Sequence, residues 1–204
     1  ENSWVEAFAV SEGTIVATGT TAEIEALAGP GTRRVDAGGR MIMPGIVDVH
    51  SHLILGGQQT AWELPIQPTW SIDEVIATVA GAAADLPEDS WIIGGIVGSL
   101  AMNEITDASY LARLDEAAGG RPVLLRDDTQ HNRWVNSVTL ALMGVDERTP
   151  NLEGGEYVRD AQGRLTGVMW ELASRHAEET AVAAIPGQDH RNQVSAAESI
   201  RIMN

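Results

Sequence analysis

From residue 71 to residue 144 apolar runs of two kinds take turns, and this alternation restricts the fold more than any other feature. SIDEVIATVAGAAADL opens with Ser71 and places Glu74 three residues later, the reciprocal pair that caps a helix start. Its apolar residues then recur at helical spacing. WIIGGIV predicts a strand, and ASYLARLDEAA predicts a helix closed by Gly119 and Gly120. RPVLLRDD reads as a strand and NSVTLALMGV as a helix ending at Gly144. GEYVRDAQGRLTGVMWELA reads as a hairpin around Ala161, Gln162 and Gly163, its second arm running into Glu171. From Asp189 to Asn204 the pattern is helical again.

Upstream, strands dominate. WVEAFAV and TIVATG flank the turn Ser11-Glu12-Gly13, a hairpin signal, and a short helical stretch follows in TTAEIEALAGPG. MIMPGIVDVHSH is broken by Pro44 and Gly45, and predicts a buried strand over residues 46–52. Strands followed by strand-helix alternation suggest a β-rich piece feeding an α/β layer or barrel. At 204 residues the chain has too few units for a complete eight-fold barrel, which takes roughly 250 residues. It starts inside a strand-like pattern and stops inside a helical one, so it reads as part of a longer polypeptide.

Composition removes several kinds of chemistry. There is no Cys, which excludes disulfides and thiolate metal sites, and all 13 basic residues are Arg, which excludes a Schiff-base lysine. A metal would have to be held by His, Asp, Glu or water. The net charge of −16 disfavours nucleic acid and anionic membranes as partners, since both need clustered cations. No apolar window reaches the ~20 residues of a membrane span, and ENSWVEAF lacks the basic start and apolar core of a secretion signal. The expectation is a cytoplasmic protein acting on a small molecule, with a homo-oligomer left open.

The candidate chemistry lies in PGIVDVHSHL. Side chains alternate across a strand, so Asp48, His50 and His52 project from one face, and two imidazoles so spaced can converge on one ion. The Gly56-Gly57 pair that follows reads as a loop, which would put the histidines at the C-terminal end of the strand, where parallel α/β barrels carry their active sites. Neutral imidazoles suit Zn²⁺ with an open position for water. Taken alone, a His-x-His pair is as well explained by two satisfied polar side chains.

PGIVDVHSHL, preceded by DAGGRMIM, resembles the first barrel strand of the amidohydrolase superfamily. WIIGGIV, the run from LARLDEAAGG to LALMGV and GGEYVRDAQGRLTGVMWELA are together similar to amidohydrolase family 3, the branch of YtcJ-like proteins and N-substituted formamide deformylases. The resemblance implies part of a urease-like β-sandwich over residues 1–45, and over 46–204 the first portion of a metal-dependent (β/α)8 barrel with a family-type insertion. It implies hydrolysis of a non-peptide C–N bond of amide or formamide type by a metal-activated water. His50 and His52 carry over as ligands of a divalent ion, Zn²⁺ by donor type, with one or two ions in the complete enzyme. Asp48 carries over as a group behind the ligands. The remaining ligands and the general base have no counterpart in this chain, so these residues alone should be nearly inactive.

His131, in DDTQHNRWVNS, falls on the family's His-x-x-Trp-x-Asn-Ser segment and is a candidate for catalysis or substrate binding, although Gln130 stands where relatives commonly have Gly. A solvated loop histidine is the rival reading. Trp134 is a candidate substrate contact, with packing as its rival, and Asn136 a helix cap. Glu171, at the mouth of a strand, is a candidate catalytic carboxylate, against a helix-start Glu placed by the macrodipole. Asp127 and Asp128 read as solvated loop acids or caps, and His176 and His190 as surface residues. Trp62, Trp70, Trp91 and Trp170 read as core rather than pocket. Two other functions stay open: a cyclic-amide hydrolase of the hydantoinase or dihydroorotase kind, and a non-catalytic α/β binding module.

Overall fold

The structure is a computed structural model and describes residues 4–45, 47 and 52–203. It divides into two compact units, residues 1–49 and 50–204. In the first, β1 (Ala7–Ser11) and β2 (Thr14–Gly19) form an antiparallel pair. The turn between them holds Glu12 and Gly13 at positive φ, as the Ser-Glu-Gly signal requires. Helix α1 (Thr21–Glu25) starts on a capping box made by Thr20 and Glu23. None of the described residues of this unit is buried, and Phe8, Val10, Ile15 and Val16 are exposed. A two-stranded ribbon has no second layer of its own to cover such side chains.

The second unit begins with α2 (Leu53–Trp62), then β3 (Leu64–Pro65), α3 (Ile72–Asp85), β4 (Ile92–Val97), α4 (Ser99–Glu104), α5 (Ala108–Ala118) and β5 (Val123–Asp127). It continues with β6 (Arg133–Val135), α6 (Ser137–Met143), β7 (Gly155–Arg159), β8 (Leu165–Glu171), α7 (Leu172–Ala184) and α8 (Gln188–Met203). Six strands form one sheet in the order β3-β4-β5-β6-β8-β7. β3, β4 and β5 run parallel, joined by α3 and by α4 with α5, because parallel neighbours need a crossover. β6, β8 and β7 then pair antiparallel. The fold is mixed α/β, and only its first half follows the parallel pattern that the alternation predicts.

Helices cover both faces of this sheet. Val75, Val79, Leu114 and Ala118 of α3 and α5 pack on Ile92, Val123, Leu125, Trp134 and Val168. On the opposite face Leu140, Ala173, Ala177 and Ala181 of α6 and α7 pack on Leu124, Val135 and Met169. β5 sends Val123 and Leu125 one way and Leu124 the other, which is why VLL carries no polar alternation. The expected caps close the helices. Ser71 and Glu74 exchange hydrogen bonds at the start of α3, and Gly119 and Gly144 take the left-handed conformation after α5 and α6. Buried Asn136 caps α6 by accepting from the Thr139 amide. It also accepts from the Val123 amide and donates to the Arg121 carbonyl, so it ties the helix to the root of β5.

One expectation lies largely outside the described residues and another needs correction. The strand over 46–52 lies largely on residues 46 and 48–51, outside the described residues, while Val47 is exposed and His52 is the N-cap of a helix. Gly56 and Gly57 are therefore not a loop but the interior of α2. The reason is tertiary: a Cβ on Gly57 would stand 1.8 Å from the Ser195 carbonyl oxygen and 2.3 Å from Ser199 Oγ. Bare backbone lets α2 and α8 approach there, and that contact outweighs the poor helix propensity of glycine. α4 and β6 went unforeseen because six and three residues are too short to show a period.

The two glycines make a paired test. Gly57→Ala should destabilise the protein by about 1–3 kcal/mol through overpacking. Gly56→Ala, with nothing within 4 Å of its Cβ, should stabilise it by about 0.5–1 kcal/mol. Urea unfolding of both variants reads the opposite signs directly, and equal signs would refute the close helix contact.

Candidate active site at the strand ends

β5 and β8 end side by side across the short β6, and each ends on an acid. Asp127, buried, does not face solvent as expected of a loop acid. Its carboxylate accepts from the Thr129 hydroxyl at 2.7 Å and from the backbone and side-chain amides of Asn132 at 3.1 and 2.7 Å. These bonds fold residues 128–132 into a fixed turn, with Gln130 at φ 67°. Asp128 accepts from the amide and hydroxyl of Ser99, which pins the same turn to the start of α4.

The turn presents His131. Its Nδ1 lies 3.1 Å from Glu171 Oε2, so two residues forty positions apart in the chain meet at the strand ends. Both side chains are open, at 66% and 61% exposure, and an ion pair so placed contributes at most about 1 kcal/mol. Stability does not account for the arrangement. Glu171 sits at φ 51°, ψ −119°, where a non-glycine residue is strained by order 1–3 kcal/mol, and its side chain makes no cap to α7. With the Nδ1 hydrogen given to Glu171, Nε2 is left free to accept or, once protonated, to donate. A carboxylate that orients an imidazole in this way is the usual support for proton transfer or for binding a carbonyl oxygen.

The other candidates divide. Trp134, offered as a substrate contact, is a core residue: it is 0% exposed among Ile92, Leu125 and Val168, so its ring has no face toward a substrate. His176 is not a surface residue, because its Nδ1 is 2.9 Å from the Tyr157 hydroxyl and its ring is half-buried. His190 is exposed. Asp48 and His50 lie outside the described residues, and His52 stands exposed at the head of α2. Among the described residues no three His, Asp or Glu side chains converge as a metal-binding group. The donor types in the motif, imidazole nitrogens with carboxylates and no thiolate, do suit a borderline divalent ion.

One charged cluster was missed altogether. Arg126, 2% exposed, projects from the face of β5 that carries Leu124. Its guanidinium pairs with Glu63 at the end of α2, and with Glu178 of α7 at 2.7 Å. Arg133 donates to the same Glu178 oxygen at 2.7 Å and to the carbonyls of Gln130 and Asn132. Burial is the largest influence on Arg126 and would lower its pKa, yet two carboxylates outweigh it and the pKa is raised. For Arg133 burial prevails, because Glu178 is shared with Arg126, whose charge lies beside it, and Asp127 adds only a minor pull, so its pKa is lowered. Burial opposes ionisation of Glu178 too, but the two guanidiniums hold its pKa below the ordinary value. An Arg in a run that reads as buried on both faces was the available signal, since such a charge needs a buried partner.

The model of the amidohydrolase family matches residues 33–198 of this chain. The chain belongs to the amidohydrolase family. An N-substituted formamide deformylase of Arthrobacter pascens is 30% identical over 174 residues, covering 85% of this chain and 32% of that protein. YtcJ of Bacillus subtilis, itself named as an amidohydrolase, is 32% identical over 176 residues, again with 85% and 32% covered. This family member thus spans about a third of the length of the curated relatives it matches. A solved structure of an uncharacterized metal-dependent hydrolase from Pyrococcus horikoshii covers 94% of the chain at 18% identity and a TM-score of 0.46, with 35% of that structure covered. That distant likeness adds nothing to the family assignment.

The buried cluster yields a pH-dependent expectation. Glu178 has a folded-state pKa below its ordinary 4.5, so its ionised form stabilises the fold above that value, and the contribution disappears as pH falls through the lower folded pKa. At pH 7, Glu178→Gln should cost about 3–5 kcal/mol by leaving two guanidiniums short of a partner. The gap between variant and wild type should narrow as pH drops below 4.5. Chemical denaturation at a series of pH values measures it, and a gap that stays constant would show that Glu178 is not held ionised by the pair.

Proposed function

We propose that the whole protein is a metal-dependent hydrolase of a non-peptide C–N bond, of amide or formamide type, in a small cytoplasmic substrate. The observation that carries this reading is the His131–Glu171 pair, set where β5 and β8 end on either side of β6, with positive φ at Glu171 and at Gln130, in a chain of the amidohydrolase family. His50 and His52 would hold the ion, with Asp48 orienting that segment. A divalent ion, Zn²⁺ by donor chemistry, would there polarise the scissile carbonyl and lower the pKa of a bound water to about 7.

The chain's own contribution is positioning and proton handling. Glu171 holds the His131 ring through Nδ1, and His131 Nε2 meets the substrate, donating to the carbonyl oxygen as it gains charge or to the departing nitrogen. The turn braced by Asp127, Asp128 and Arg133 fixes where that imidazole stands. A precise hydrogen bond of this kind is most effective when nothing has to reorganise during reaction. A partial β-sandwich and the first portion of a barrel remain the architecture that best suits the family.

Metal content and turnover are separable readouts. His50→Ala and His52→Ala in the full-length protein should each lower bound metal, measured by elemental analysis. His131→Ala should leave metal bound but reduce kcat/KM by roughly 10²–10⁴-fold, and Glu171→Gln should fall between it and wild type. A panel of N-substituted formamides, N-acyl amines and cyclic ureides assigns the substrate class. Unchanged metal in both histidine variants, together with unchanged turnover in His131→Ala, would overturn the reading.

A further inference from the structure

On the second face of the sheet one half-buried guanidinium has no hydrogen-bonded carboxylate among the described residues. A cavity of about 170 Å³ opens beside Arg126, Arg133, Glu178 and Arg191, with Leu55, Ile93 and Ile185 forming its apolar wall. Arg126 uses Nε and both terminal nitrogens on Glu178 and Glu63. Arg133 uses Nε and one terminal nitrogen on Glu178 and the turn carbonyls. Arg191 is different. Its guanidinium lies 4.6 Å from the centre of the Trp62 ring, and among the described residues it makes no side-chain hydrogen bond or ion pair. Three guanidiniums and one carboxylate, Glu178, line the cavity, with Glu63 paired to Arg126 and drawing on Arg191 from beside it. The next acid along β5, Asp127, accepts from Thr129 and Asn132 and also acts on the Arg133 charge.

We propose that this cavity binds a short-chain aliphatic carboxylate, its headgroup on Arg191 and its tail against Leu55, Ile93 and Ile185. The apolar wall favours an acid with a hydrocarbon tail over inorganic phosphate. With the Trp62 ring against it, the guanidinium has N–H groups that can take a carboxylate through two parallel hydrogen bonds. The volume is below the roughly 300 Å³ at which drug-sized sites begin, which limits the ligand to a few carbons. Partial burial lowers the Arg191 pKa against the pull of Glu63. Asn192, also on the wall, has its side-chain amide available to the same headgroup. The site is separate from the His131–Glu171 pair and does not depend on the hydrolytic reading.

The probe is sodium butyrate, titrated by calorimetry and by NMR into the purified protein at pH 7, with butyramide and inorganic phosphate in parallel. Butyrate should bind at one site, with butyramide at least tenfold weaker. Arg191→Gln should weaken butyrate at least tenfold with an unchanged circular dichroism spectrum. Asn192→Asp, which puts a negative charge on the cavity wall at an exposed position, should do the same without removing the cation. Equal binding of butyramide, tighter binding of phosphate, or undiminished butyrate affinity in both variants would each overturn the proposal.

Discussion

A guanidinium buried in the face of a β-sheet cannot stand alone, because taking the charge from water costs several kcal/mol unless carboxylates and hydrogen bonds replace it. Arg126 is in that position, and the elements around it are arranged to meet the demand. Glu63 comes from the end of α2 and Glu178 from α7, so the charge joins a helix that precedes the sheet to one that follows it. Neither helix could move away without leaving a charge unpaired. The cluster is thus a specific constraint on the second face, where the remaining contacts are apolar and less particular about register.

The same cluster reaches the candidate active site. Arg133 shares Glu178 with Arg126 and at the same time donates to the carbonyls of Gln130 and Asn132. The turn that presents His131 is therefore held from inside by Arg133, from its own strand by Asp127, and from α4 through Asp128. A histidine with two-thirds of its side chain in solvent would otherwise sample many rotamers. Here the backbone beneath it is held by buried groups, and the strain at Gln130 and Glu171 is borne by that support. Local strain retained at Glu171 and at the residue before His131 is better explained by a functional geometry than by stability.

Much of the fold was legible where the signals are local. Capping at Ser71, the stops at Gly119 and Gly144, and the hairpin around Gly163 act within a few residues of themselves, so they survive in any tertiary setting. The Gly56-Gly57 pair misled because its cause is the backbone of Ser195, more than a hundred positions away. Trp134 stood between packing and substrate contact for a related reason: its burial depends on β8, which pairs with β6 across an intervening helix and hairpin. His131 and Glu171 were each legible as candidates from their places after strands, but not as partners.

By itself the sequence determined the types of α1, α3, α5, α6 and α8 and of β1, β2, β4, β5, β7 and β8, their caps, the exclusion of thiolate and Schiff-base chemistry, and the resemblance to the amidohydrolases through PGIVDVHSHL and the segments after it. Each of these follows from residue identity or short-range spacing. Only the tertiary structure decided that the sheet turns antiparallel after β5, that Glu63 and Glu178 answer Arg126, and that Glu171 reaches His131. Those outcomes depend on which distant segments meet, and burial energies choose between pairings that local spacing leaves equivalent.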